Sequence, residues 1–149
     1  MLINSYRFLF ETTDDAIQST GLMLLRIGVS IFMILLHGWP KFSNYSEAKF
    51  TFFDPFGLGS EFSLALAIFA EIICSVLLVT GLFTRIAVIL LAITMIVAAF
   101  LFNAGQELIV REKGILYLMI YLFLLLVGPG KYSADVFLFD RQKNVNMNP

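Results

Sequence analysis

Four long apolar runs decide what this chain can fold into: Thr20–His37, Glu61–Leu82, Arg85–Phe102 and Lys113–Gly128. A helix needs roughly 20 mostly apolar residues to cross a hydrocarbon core about 30 Å thick, and each run meets or approaches that length. Inside lipid every backbone amide must be satisfied by the chain itself, so only helices or a closed barrel are admissible. The runs pass through Leu, Ile and Phe without period-2 alternation, and 149 residues holding four of them leave no room for a barrel. The expectation is an all-α membrane protein, one four-helix transmembrane bundle over residues 1–149 with a long aromatic interfacial loop between its first two helices. Composition points the same way. The chain is 59% hydrophobic and 14% charged, whereas soluble domains hold about 45–50% apolar and about 25% charged residues.

The residues between the runs read as punctuation. Thr12-Thr13-Asp14-Asp15 supplies capping side chains and acidic charge ahead of the first run. His37-Gly38-Trp39-Pro40 is expected to stop that helix, since proline lacks an amide and glycine tolerates a turn. Gly81-Leu82-Phe83-Thr84-Arg85 is short enough to make helices two and three an antiparallel hairpin, and Gly128-Pro129-Gly130 ends the fourth. Residues 1–19 mix Arg7 with Glu11, Asp14 and Asp15, and the apolar run after them is too long for a signal peptide, so they read as an interfacial lead-in. Four spans put both termini and Arg85 on one side, A. Arg7, Arg85, Lys131, Arg141 and Lys143 then stand against Lys41, Lys49, Arg111 and Lys113 on side B. That small excess makes side A cytoplasmic.

Two charges fall well inside the runs, Arg26 in the first and Glu71 in the second. Each costs about 2.5–3.5 kcal/mol at a helix centre on insertion scales. The Leu, Ile, Val and Phe residues around Arg26 return roughly 0.3–0.6 kcal/mol each, so the helix still inserts. Neither charge will face lipid tails. Counted from the ends of the runs, Arg26 lies about 9 Å and Glu71 about 16 Å below side A, a separation an arginine can lean across. The pair reads either as a structural ion pair that fixes helix register or as a functional pair, and the two roles are compatible.

Other polar residues fall on defined faces. Arg26, Ser30, Met33 and His37 share one face of the first helix, and Ser63, Ala67, Glu71 and Ser75 form a small-and-polar ridge on the second. Tyr117 and Tyr121 lie a turn apart on the fourth helix. Glu112, His37, Lys41 and Asn103 should gather at side B, the densest polar group in the chain. The candidate ligand-binding residues are therefore Arg26, His37, Lys41, Glu71, Glu112, Tyr117 and Tyr121. His37 reads either as an interfacial residue or as part of that site. The loop Gly38–Ser60, with Trp39, Phe42, Tyr45, Phe50, Phe52, Phe53 and Phe56, reads either as a flap at the headgroups or as a lid over a pocket.

Some chemistry is excluded outright. A net charge of −1 gives no basic footprint for nucleic acid. The single cysteine, Cys74, forbids an internal disulfide or a dithiol centre, and the single histidine forbids bis-His haem and multi-His metal sites.

Leu24-Leu25-Arg26-Ile27-Gly28, His37-Gly38-Trp39-Pro40-Lys41, Glu71, Thr80-Gly81-Leu82-Phe83-Thr84-Arg85, Glu112 with Leu116-Tyr117-Leu118, and Gly128-Pro129-Gly130-Lys131-Tyr132-Ser133 together resemble the DoxX family. The motifs keep the family's order over about residues 20–138, with Pro40 standing where its pattern varies. The resemblance implies a small four-helix bacterial membrane protein related to the membrane subunit of a thiosulfate:quinone oxidoreductase. Two functions follow as expectations: a quinone- or isoprenoid-binding subunit of a redox or oxidant-defence system with a soluble redox partner, or a non-catalytic scaffold that docks one. Surrounding lipid is a partner in either case, and self-association stays open. No side chain here carries an electron, so redox chemistry would belong to a bound cofactor.

Overall fold

The computed structural model describes residues 15–140. All of its regular structure is helical among the described residues. Helix α1 spans Asp15–Ser43, α3 Ser60–Thr80 and α4 Thr84–Phe102, and these three are long and apolar enough to cross a membrane. Between α1 and α3 lies the short α2, Tyr45–Ala48. Helix α5, Leu108–Val127, is about as long as α3 and α4 but carries Arg111, Glu112 and Lys113 near its start. Residues 1–14 of the expected lead-in, with the Thr12–Asp14 caps and Arg7, and the basic residues Arg141 and Lys143 lie outside the described residues, whereas residues 15–19 are not a separate lead-in but the start of α1.

The first helix does not stop at His37. It widens into a π-helical turn over Ile34–Gly38 and resumes as α-helix over Trp39–Ser43, with Pro40 in the first turn of the resumed segment. The Trp39 amide still donates to Ile34 O across the π turn, and the changed register there accommodates the next residue, Pro40, which has no amide to donate. Gly38 serves contact rather than termination: a Cβ on it would meet Ile72 Cγ1 at 2.6 Å and Glu71 Cβ at 3.3 Å. Comparable π-helical turns interrupt α3 over Phe69–Cys74 and α4 over Val97–Phe102.

Helices α3 and α4 are joined by a tight reversal. Gly81 takes the left-handed conformation at φ +70°, its amide donates to Leu78 O at 3.2 Å and the Leu82 amide to Leu77 O at 2.9 Å. This is a Schellman closure, and it satisfies carbonyls that the end of α3 would otherwise leave open. Val29 and Met33 of α1, Cys74 and Leu78 of α3, Val88, Leu91 and Met95 of α4, and Tyr121 and Leu124 of α5 form the core. Gly114 lets α5 approach α4 closely, since a Cβ there would lie 3.0 Å from Ala99 Cβ. Large apolar side chains also cover the outside, among them Leu24, Leu36, Ile86 and Leu126. An apolar exterior suits lipid and would be a liability in water.

Candidate functional site

These three of the four π-helical segments among the described residues, the fourth being Val136–Asp140, lie around one cavity of about 700 Å³. A π turn shifts the hydrogen-bond register by one residue, which re-aims side chains and frees a carbonyl. The turn in α1 presents His37, and Lys41 follows a turn later. The turn in α3 presents Glu71, and the turn in α4 contributes Ala98, Ala99 and Phe102. On α5, Val110, Gly114 and Tyr117 share the facing surface. The segment between α2 and α3 closes the remaining side with Phe52, Phe53, Pro55 and Phe56, Phe53 meeting Phe102 edge-on at 5.4 Å between centroids.

Several polar groups line this largely apolar space. Lys41 Nζ donates to both oxygens of Glu71 at 2.7 Å, with the Glu71 side chain 3% exposed and that of Lys41 28%. The His37 ring stands edge-on to Tyr117 at 5.4 Å. Tyr117 in turn stacks on Tyr121 at 6.1 Å. Arg111 Nε donates to Ala99 O at 2.8 Å, capping a carbonyl of the α4 π turn, and its guanidinium lies 4.8 Å from the centre of the Phe100 ring. Asp54 organises the closing segment: its carboxylate accepts the amides of Phe56, Leu58 and Gly59 and the Ser63 hydroxyl. The Gly59 amide above all, helped by Ser63, Leu58 and Phe56, holds this carboxyl below the usual range against the opposing pull of desolvation.

Of the residues singled out from sequence, His37, Lys41, Glu71 and Tyr117 line the cavity together. Tyr121 lies fully buried beneath Tyr117. Glu112 does not join them. It sits two residues from Gly114, about 200° around the helix, and is exposed. Its neighbours Arg111 and Lys113 line the cavity instead. The charged run at 111–113 was the signal for this end of the helix; the rotation that selects among its members is set by Gly114 packing on Ala99.

The expected Arg26–Glu71 ion pair is not formed. Gly38 rests against Glu71 and Arg26 against Gly81, so Arg26 and Glu71 are ten residues out of register, or about 15 Å along antiparallel helices. Arg26, 1% exposed, donates from Nη2 to Tyr132 O at 2.6 Å. It holds the segment after α5 across the end of the bundle. In that segment Asp135 accepts the amides of Phe83 and Thr84 at 2.7 and 2.9 Å, capping α4, and its own amide donates to Gly81 O at 2.9 Å. The molecule therefore has two polar centres, one open to a cavity and one closed.

An all-helical bundle with an apolar exterior, enclosing a largely apolar cavity, defines a small helical membrane protein. The DoxX family profile matches residues 21–104, and the chain belongs to that family. It is also 33% identical over 136 residues to a Bacillus subtilis (strain 168) protein described as "Putative oxidoreductase CatD", covering 86% of this chain and 94% of that one. No solved structure matches.

Proposed function

We propose that the chain crosses a bacterial cytoplasmic membrane four times, with both termini cytoplasmic, and that its cavity receives the polar head of a quinone or related isoprenoid. The fourth crossing is α5, about 30 Å long, whose three charges are confined to one end, where long basic side chains reach the headgroups. The observation that carries the ligand reading is the convergence of His37, Lys41, Glu71 and Tyr117 on a largely apolar cavity of about 700 Å³ that Arg111 and Lys113 also line. Ligand sites have this construction, about 300–1,000 Å³ with apolar walls and a few placed polar groups. The imidazole, the ammonium and the phenol are the donors a quinone carbonyl needs, and the aromatic segment at Phe52–Phe56 supplies the apolar wall. A bound quinone would supply the electron-carrying chemistry. The protein would orient the head, exclude water and exchange electrons with a soluble redox partner. The kinship with a protein described as an oxidoreductase supports this reading.

Trp39, the chain's one tryptophan, lies on α1 two residues from His37, so quinone titration can be followed by quenching of its fluorescence. Saturable quenching is expected in the wild type and its loss in His37→Ala and Glu71→Gln. Equal binding by all three defeats the assignment.

A second reading has its own support. Trp39, Phe42, Phe50 and Phe56 are more than half exposed at this end of the bundle, a surface that would suit a scaffold docking a soluble protein. Crosslinking in native membranes should then recover a partner that disappears when residues 42–56 are replaced by Gly/Ser. Recovery of lipid and self-contacts alone counts against it.

A further inference from the structure

Between the two polar centres lies a set of buried polar groups that neither centre uses. Ser30 of α1, Ser75 of α3 and Tyr121 of α5 are fully buried, and their hydroxyls have no hydrogen-bond partner among the described residues. The same holds for Nε and Nη1 of Arg26 and for the Thr84 hydroxyl, whose backbone amide is capped by Asp135. Buried hydroxyls normally find a partner, because leaving one unmade costs about 1–3 kcal/mol. So many in one small bundle call for a common explanation.

Their placement supplies one. Gly38 against Glu71 and Gly81 against Arg26 fix the antiparallel register of α1 and α3. Ser30 lies one turn from Arg26 toward Glu71, and Ser75 one turn from Glu71 toward Arg26. Tyr121 is within electrostatic reach of both Glu71 and Tyr117. Along α1 and α3 the order is therefore Glu71, Ser75, Ser30, Arg26, with Tyr121 on the Glu71 side beside Tyr117 and Thr84 on the Arg26 side beside Asp135. Four residues of helix rise about 6 Å, and two hydrogen bonds of about 2.8 Å through one water span about that gap.

We infer that the interior of the bundle holds a hydrated polar path joining Glu71 in the cavity to Arg26 at the opposite end, and that protons move along it. A hydroxyl and a water both donate and accept, so each hop breaks one O–H bond as the next forms, and one proton enters at one end for each that leaves at the other. The Arg26 guanidinium has no acceptor, so at the outer end the proton passes by the Thr84 hydroxyl to the Asp135 carboxylate, which already accepts the Thr84 amide, and Arg26 orients the water beside them. The inference gives the proposed site a proton connection to the side of the membrane away from its cavity. It rests on that reading for its purpose but not for its test.

Radiolytic hydroxyl labelling of the purified protein reports water held next to buried side chains, and no quinone is needed. Tyr121, which bulk solvent does not reach, should be labelled in the wild type and lose its label in Ser30→Val/Ser75→Val. Proton entry into vesicles of equal parts phosphatidylcholine and phosphatidylglycerol, driven by a potassium diffusion potential, should exceed that of protein-free vesicles and return to their rate in the double variant. Burial of the Cys74 thiol confirms that the variant is folded. An unlabelled wild-type Tyr121 overturns the path, with serines bonded to their own helix carbonyls as the alternative. Labelling with wild-type flux at the protein-free rate overturns the proton movement. Failure of quinone to bind Trp39's neighbourhood would refute the proposed site and leave both readouts standing.

Discussion

Removing Lys41 while leaving Glu71 in place tests the geometry of the cavity most severely. In Lys41→Met the methylene stem is roughly kept, but both Glu71 oxygens lose a donor at 2.7 Å while the side chain stays 3% exposed. Breaking a buried ion pair by deleting one partner costs about 3–5 kcal/mol, chiefly from the charge left behind. The Lys41 side chain is 28% exposed, and such partial solvation weakens a pair, so the lower end applies, about 3 kcal/mol. For a chain of this size that lowers the melting temperature by on the order of 10 °C. The assay is built into the sequence: Cys74 is the chain's one cysteine and is buried, so a thiol-reactive fluorophore reports unfolding in mild detergent. The second variant, Lys41→Met/Glu71→Gln, removes the stranded charge and should recover most of the loss. A single variant as stable as the wild type, or a double variant no better than the single, refutes the claim that these two side chains form the buried pair.

Three further outcomes follow from particular contacts. Gly81→Ala places a methyl group against Arg26 Nη1 and Ser133 Cβ at φ +70°; the backbone conformation alone costs about 1–2 kcal/mol, and the same thiol assay should show a lower melting temperature. Gly114→Leu forces α5 away from Ala99, 3.0 Å from even a Cβ, and should destabilise by about 1–3 kcal/mol; wild-type stability would mean the two helices are not in close contact. The Asp54 carboxyl is held below its usual range by amides of the closing segment. Its contribution is therefore fully present above the ordinary carboxylate pKa and lost as pH falls through the lower folded value. Hydrogen exchange at the Leu58 and Gly59 amides should show protection at neutral pH that disappears in acid, and Asp54→Ala should lack it at neutral pH.

How far the sequence discloses this molecule depends on the kind of information each feature needs. Apolar length needs only composition and spacing, and the runs at 61–82 and 85–102 match α3 and α4 to within two residues at each end. The inward face Arg26, Ser30, Met33 and the ridge ending at Glu71 and Ser75 were legible from helical periodicity, and all five are buried. Pairing was not legible. Arg26 and Glu71 looked close because depth was counted from the ends of hydrophobic runs, whereas α1 extends beyond its run at both ends and is set in register by Gly38 and Gly81. Pro40 was misleading for a related reason: a π-helical turn before it lets the helix restart with proline in a first turn. Three such turns shape the cavity, and nothing in residue spacing announces them. Arg111 and Lys113 were passed over for Glu112 because the choice among three adjacent charges depends on helix rotation, which a contact between two small residues decides.

The central claim is that the cavity holds a quinone or isoprenoid by its polar end. Mass spectrometry of an organic extract of the protein, purified in mild detergent beside Lys41→Met/Glu71→Gln, addresses it most directly, since that variant removes the charged pair and is expected to stay folded, which the Cys74 assay checks. The account predicts a near-stoichiometric quinone or isoprenoid in the wild type and its absence from the variant. Bulk phospholipid alone in both would contradict it.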